Sequence, residues 1–197
     1  AVKSSRAQGF RADGGAAIVM DVRTGRVLAL ASYPTYDPNI WDKGLTVAQA
    51  KDMYSASTYV PALSRPLQGL FAPASTFKAI SIFAAAKAGY SLNASYDCPG
   101  VYKVGNREFT NYESKAHGRL SLKTGIAVSC DTLWYKMAYA EWLKDGGLNP
   151  KNPKDYFFNA AHLFQLDKKT GIDLPGELAG RIPDRQWKTD YWKQNKD

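Results

Sequence analysis

The chain has 197 residues, 45% of them hydrophobic and 22% charged, with a net charge of +8. That composition belongs to a globular chain long enough for one core and excludes a low-complexity or disordered sequence, and no run of about twenty apolar residues is present to span a membrane. Five Trp and twelve Tyr beside an excess of Lys and Arg raise nucleic acid as a partner, but the basic residues are spread rather than clustered and argue against it. Residues 1–13 are polar and basic and are expected to form a connection from an upstream domain. Residues 15–22 and 26–32 read as a β-hairpin turning at Thr24-Gly25. Phe77 to Lys87 is apolar nearly all round, the pattern of a buried helix, with Gly89 as its stop. A weaker hairpin pairs 101–104 with 107–110 around Gly105-Asn106. Two further helices, Leu133 to Leu143 and Tyr156 to Leu166, are separated by the breaker run from Gly146 to Pro153.

Chemistry concentrates at the entrances of two of these helices. Ser75-Thr76-Phe77-Lys78 follows Pro73, and residues three apart on a helix lie about 5–6 Å apart on one face, so the Lys78 amine can reach the Ser75 hydroxyl. A Ser with Lys three residues on is expected roughly once by chance in a chain of this size. The second pattern, Ser129-Cys130-Asp131, places a hydroxyl and a carboxylate two apart on a loop entering a helix. Taken alone it is also an ordinary N-cap, since Ser and Asp are favoured there.

Together the two patterns occur in the order and rough separation seen in penicillin-binding proteins and serine β-lactamases. Gly15 to Pro34 resembles the opening hairpin of a class B penicillin-binding protein transpeptidase domain. Tyr36-Asp37-Pro38-Asn39, Ser64 to Gly69 and Phe71 to Lys78 resemble the approach to that family's active-site helix. Asp97-Cys98-Pro99-Gly100, His117-Gly118, Thr170 to Glu177 and Ile182-Pro183 extend the match. Asp131, where many relatives have Asn, is similar to the elongation-type penicillin-binding protein 2 subfamily. Ala74 departs from the usual glycine before the nucleophile, and Ser64 and Pro66 replace the commoner Asn and Ala around Arg65.

The resemblance implies an α+β fold of the penicillin-binding protein and serine β-lactamase type, here incomplete, with an N-terminal β-hairpin and a helical subdomain across 14–197. It also implies a third motif, Lys-Thr/Ser-Gly, on a strand. Lys123-Thr124-Gly125 lies on helical periodicity and Lys169-Thr170-Gly171 in loop punctuation, so neither fits, and the C-terminal strands and third motif are expected to lie beyond this chain. Without sheet partners, Ile18, Met20, Leu28 and Leu30 are expected to be exposed.

By resemblance the activity is a peptidoglycan D,D-transpeptidase that works through an acyl-serine intermediate and is acylated by β-lactams. Ser75 is the nucleophile, Lys78 its base, Ser129 a proton relay and Asp131 an orienting or substrate-binding group. A serine hydroxyl is a poor nucleophile until a neighbouring base takes its proton, and Lys78 serves only in its neutral form. The implied partners are stem peptides, β-lactams and membrane-embedded cell-wall elongation proteins. The implied location is the extracytoplasmic face of the cell membrane, where lipid headgroups and an anionic cell wall suit the net charge. A β-lactamase or penicillin sensor is the enzymatic alternative, but Glu141-Trp142-Leu143-Lys144 replaces the expected Glu-x-x-Leu-Asn. A basic binding module is the non-enzymatic one. His117 and His162 are the only histidines and sit in no metal-ligand spacing, so no metal and no organic cofactor is expected. Cys130, inside a motif, is expected to be a small packed thiol rather than the disulfide partner of Cys98.

Overall fold

In the computed structural model, which describes residues 1–195, the chain divides into two compact units. The first comprises Ala1–Phe71 with Lys169–Leu178. It contains α1 (Val2–Ala7), β1 (Gly15–Met20), β2 (Val27–Tyr33), α2 (Val47–Tyr54) and α3 (Arg65–Gln68). β1 and β2 pair antiparallel, with Gly15 opposite Tyr33 and Ile18 opposite Leu30. Their turn is closed by the Asp21 carboxylate, which accepts the Arg23 N–H at 2.9 Å, and by the Gly25 N–H on the Asp21 carbonyl at 2.8 Å. α2 escaped the sequence reading although a capping box starts it: Thr46 and Gln49 exchange side-chain to backbone hydrogen bonds.

α3 packs against both strands. The Ser32 hydroxyl joins them, donating to the Leu63 carbonyl at 3.1 Å and accepting the Arg65 N–H at 3.2 Å. The buried Arg65 guanidinium in turn donates to the carbonyls of Tyr59, Val60 and Leu63. Ile18, Met20 and Leu28, in a sheet of two strands, are 50%, 52% and 65% exposed, as expected, while Leu30, expected to be exposed too, is half-buried.

The second unit comprises Ala72–Lys168 and the chain from Ala179 onward. A 3-10 turn, Ala74–Phe77, runs directly into α4 (Lys78–Lys87). Then follow β3 (Tyr96–Cys98), β4 (Val101–Val104), β5 (Arg107–Thr110), β6 (Gly118–Leu120), α5 (Leu122–Ala127), α6 (Asp131–Lys144), α7 (Tyr156–Leu163) and α8 (Arg185–Gln194). β4–β5 is the hairpin expected at Gly105-Asn106, whereas the short pair β3–β6 links residues too few and too far apart for periodicity to reveal. α4 is less buried than its composition suggested: Lys78, Ser81, Ala84 and Ala85 face inward while Ala79 and Ala86 are exposed. α6 buries Leu133, Trp134 and Met137, spaced three and four apart. They meet Ala85, Leu120 and Leu122 in the core.

Cys98 and Cys130 form a disulfide, with an S–S distance of 1.98 Å and Cα atoms 6.4 Å apart, which corrects the expectation of a packed thiol. The pairing of β3 with β6 brings Cys98 back toward the segment that enters α6, so 32 residues of sequence separation collapse to bonding distance. Gly125 explains the first superficial Lys-Thr-Gly triplet. A Cβ there would stand 2.6 Å from Leu133 Cδ2, so the glycine lets α5 seat on α6.

Candidate active site

Ser75 lies in the 3-10 turn rather than in the first α-helical turn expected for it. The turn opens on Pro73, whose carbonyl accepts both the N–H and the hydroxyl of Thr76, and on Ala74 at φ +47°. That left-handed backbone costs an L-residue with a Cβ about 1–2 kcal/mol, which accounts for the preference for glycine at this position. One turn on, Lys78 is only 7% exposed. Its Nζ reaches Ser75 Oγ at 2.9 Å, as the i to i+3 spacing predicts.

Ser129 arrives from a different element. α5 ends in a paired backbone motif, with the Ser129 N–H on the Ile126 carbonyl at 3.0 Å and the Cys130 N–H on the Gly125 carbonyl at 2.9 Å. This is a Schellman ending with Ser129 at its left-handed residue, φ +55°, a place normally given to glycine. The hydroxyl is thereby turned toward α4: Ser129 Oγ is 3.0 Å from Ser75 Oγ and 2.9 Å from Lys78 Nζ. A functional hydroxyl held in a sparsely populated backbone region is a common form of local strain at reacting sites.

Asp131 is the first residue of α6, the helix end where a carboxylate is favoured. Its Oδ1 meets Lys78 Nζ at 2.5 Å, and its side chain is 27% exposed. Lys78 thus faces four oxygens: both serine hydroxyls, the Ser129 carbonyl at 2.9 Å and the Asp131 carboxylate. An ammonium has three protons, so at least one of these four contacts is not a donated bond. One turn along α6, burial and then the Asp131 carboxylate push the Tyr135 phenol up from its ordinary value.

All four candidate residues therefore converge, and Ser75, Ser129 and Asp131 line an open cleft of about 820 Å³ with Tyr112, Glu113, Lys115 and His117. Neither superficial third motif lies on a strand. Lys123-Thr124-Gly125 lies in α5, and Lys169-Thr170-Gly171 lies in a loop of the first unit whose Thr170 N–H and hydroxyl both bond Glu177 at 2.7 Å. Among the described residues no group of three or more His, Cys, Asp or Glu side chains could hold a metal. The sequence reading missed Asn111, 4% exposed, whose Oδ1 accepts the backbone N–H groups of Asp131 and Thr132 at 2.8 and 2.9 Å. A lone Asn twenty residues upstream carries no local signal of that role.

Residues 15–196 match the model of the penicillin binding protein transpeptidase domain. Peptidoglycan D,D-transpeptidase MrdA of Escherichia coli K12 is 35% identical over 185 residues, 91% of this chain and 27% of the relative. PbpA of Mycobacterium tuberculosis, also named a peptidoglycan D,D-transpeptidase, is 27% identical over 86% of this chain and 34% of its own length. The chain thus spans about a quarter to a third of these relatives. Among solved structures, Pseudomonas aeruginosa PBP2 in complex with WCK 5153 superposes with TM-score 0.72 at 28% identity, covering 92% of this chain and 39% of that one. Helicobacter pylori PBP2, solved in complex with MreC, gives 0.76 at 25% identity, covering 98% and 34%. With the Ser75-Lys78 and Ser129-Asp131 patterns assembled on this fold, the chain belongs to the penicillin-binding protein transpeptidase family.

Proposed function

We propose that this chain carries the nucleophilic half of a peptidoglycan D,D-transpeptidase site. The observation that supports it most is the convergence of Ser75, Ser129 and Asp131 on the single Lys78 amine. Ser75 Oγ attacks the carbonyl carbon of the penultimate D-alanine of a stem peptide while neutral Lys78 accepts its proton. The proton passes through Ser129 to the departing amine, the peptide C–N bond breaks, and D-alanine leaves. An amine of a neighbouring stem then attacks the acyl ester, forming the cross-link and restoring Ser75. Asp131 holds Lys78 and the substrate amide in line. The Ser75 N–H supplies one oxyanion donor.

The second donor and the third-motif lysine come, in this reading, from strands outside the chain, the same strands that would cover Ile18, Met20 and Leu28. Residues 1–13 then lead in from an upstream domain. The site would work on the extracytoplasmic face of the membrane beside elongation proteins, although no described helix is long and apolar enough to cross a membrane. A fluorescent penicillin tests the reading on the full-length protein. Stable labelling is the expected result; rapid release of hydrolysed drug would mean a β-lactamase, and no labelling a binding module.

A further inference from the structure

We propose that Asn111 is a positioning residue for acyl transfer, fixing Asp131 at the distance from which its carboxylate meets the Lys78 amine. The inference rests on the acyl-serine reading above. α6 begins with backbone N–H groups that have no partner inside the helix. The residue that precedes it, Cys130, is committed to the disulfide, and its Sγ accepts the Leu133 N–H at 3.3 Å and meets the Thr132 hydroxyl at 3.5 Å, leaving the Asp131 and Thr132 N–H groups to another acceptor. The N–H groups of Asp131 and Thr132 go instead to the one carboxamide oxygen of Asn111. The other end of that carboxamide donates to the Pro99 carbonyl at 3.0 Å and the Lys115 carbonyl at 2.7 Å.

Two acceptor positions and two donors are thus all used by a side chain 4% exposed. Asn111 therefore ties three pieces together: the turn between β3 and β4, the loop that lines the cleft, and the helix end bearing Asp131. The chain crossing is tight, since a Cβ at Gly100 would stand 2.0 Å from the Ser114 carbonyl oxygen. Because Asn111 grips the Asp131 main chain, a shift of its amide displaces the Asp131 carboxylate relative to Nζ. A misplacement of about 1 Å costs on the order of 10²-fold in rate.

The test compares Asn111→Ala, Asn111→Gln and Asn111→Asp in the full-length protein by acylation with fluorescent penicillin, separating the first-order acylation constant from non-covalent binding. Ala removes the oxygen and Gln displaces it by a methylene, so each should slow acylation by about 10–100-fold with binding changed by less than about threefold. Asp keeps an acceptor facing α6 but gives up the donors to the Pro99 and Lys115 carbonyls, so it should be slower than the parent yet faster than Ala. On an Asp131→Ala background, Asn111→Ala should cost nothing further, because the two act as one unit.

Parent-like rates in both Ala and Gln, an Asp variant as slow as Ala, or additive effects with Asp131→Ala would overturn the proposal. Should the Ala variant fail to fold, the Gln and Asp pair decides it. An unmodified protein that takes no penicillin on Ser75 would sink the acyl-serine reading and this inference with it. A labelled parent with indifferent Asn111 variants would sink only the latter.

Discussion

Lys78→Arg separates charge from basicity at the centre of this site. Nζ lies 2.9 Å from Ser75 Oγ, inside the range for direct proton transfer, and 2.5 Å from the Asp131 carboxylate. Arginine preserves the cation facing Asp131, but a guanidinium stays protonated and cannot accept the serine proton. Loss of a general base costs on the order of 10²–10⁴ in rate. At about 1.36 kcal/mol per factor of ten this is about 3–5 kcal/mol of transition-state stabilisation. The fold should suffer less, because Asp131 keeps 27% of its side chain exposed and water can solvate it when the geometry of the pair changes. The assay is the acylation rate constant of the full-length variant with fluorescent penicillin, set beside its thermal unfolding. An arginine variant acylated within tenfold of the parent would show that Lys78 acts only as an electrostatic partner.

Three further outcomes follow from the geometry. Ala74→Gly relieves the left-handed backbone at φ +47° and should stabilise the protein by about 1 kcal/mol, raising Tm by about 2–4 °C; a lowered Tm in differential scanning calorimetry would contradict the strain argument. Replacing Cys98 and Cys130 together by Ala opens a loop of sequence separation 32 and should cost about 3–4 kcal/mol, read from urea unfolding. An unchanged midpoint would mean that the bond constrains little. Glu177 is held below the ordinary carboxylate range by the Thr170 hydroxyl, then by the Thr170 and Gly171 N–H groups. A depressed folded value stabilises above the unfolded value of 4.5 and is lost as pH falls through the folded one. Hydrogen-exchange protection in residues 169–178, taken relative to the intrinsic rate at each pH, should therefore fall on acidification below about pH 4.5, and Glu177→Gln should abolish that dependence.

The parts of the site that were readable in advance are those that local periodicity carries. Ser75 and Lys78 are one helical turn apart, and Ser129 and Asp131 share one loop, so spacing alone put each pair on a common face. The β1–β2 and β4–β5 hairpins were readable for the same reason, through Gly25 and Gly105 at their turns. What sequence could not supply were relations made only by tertiary closure. The β3–β6 pair, the Cys98–Cys130 bond and the reach of Asn111 to α6 all join segments about 20 or more residues apart. The left-handed backbone at Ser129 was hidden as well, because it is imposed by how α5 ends rather than by the preference of serine. Two elements were missed through neglected local signals: Thr46 and Gln49 cap α2, and Asp184 caps α8 by accepting the Trp187 N–H at 2.6 Å.

The central claim, that Ser75 is the residue acylated in this site, is tested most directly by peptide mapping. The full-length protein is incubated with benzylpenicillin, quenched, digested and read by tandem mass spectrometry. The account predicts the mass of one intact penicillin on the peptide containing Ser75, carried by the Ser75 hydroxyl and absent from Ser75→Ala. An adduct on Ser129 or on any other side chain, or full labelling of the Ser75→Ala variant, would contradict it.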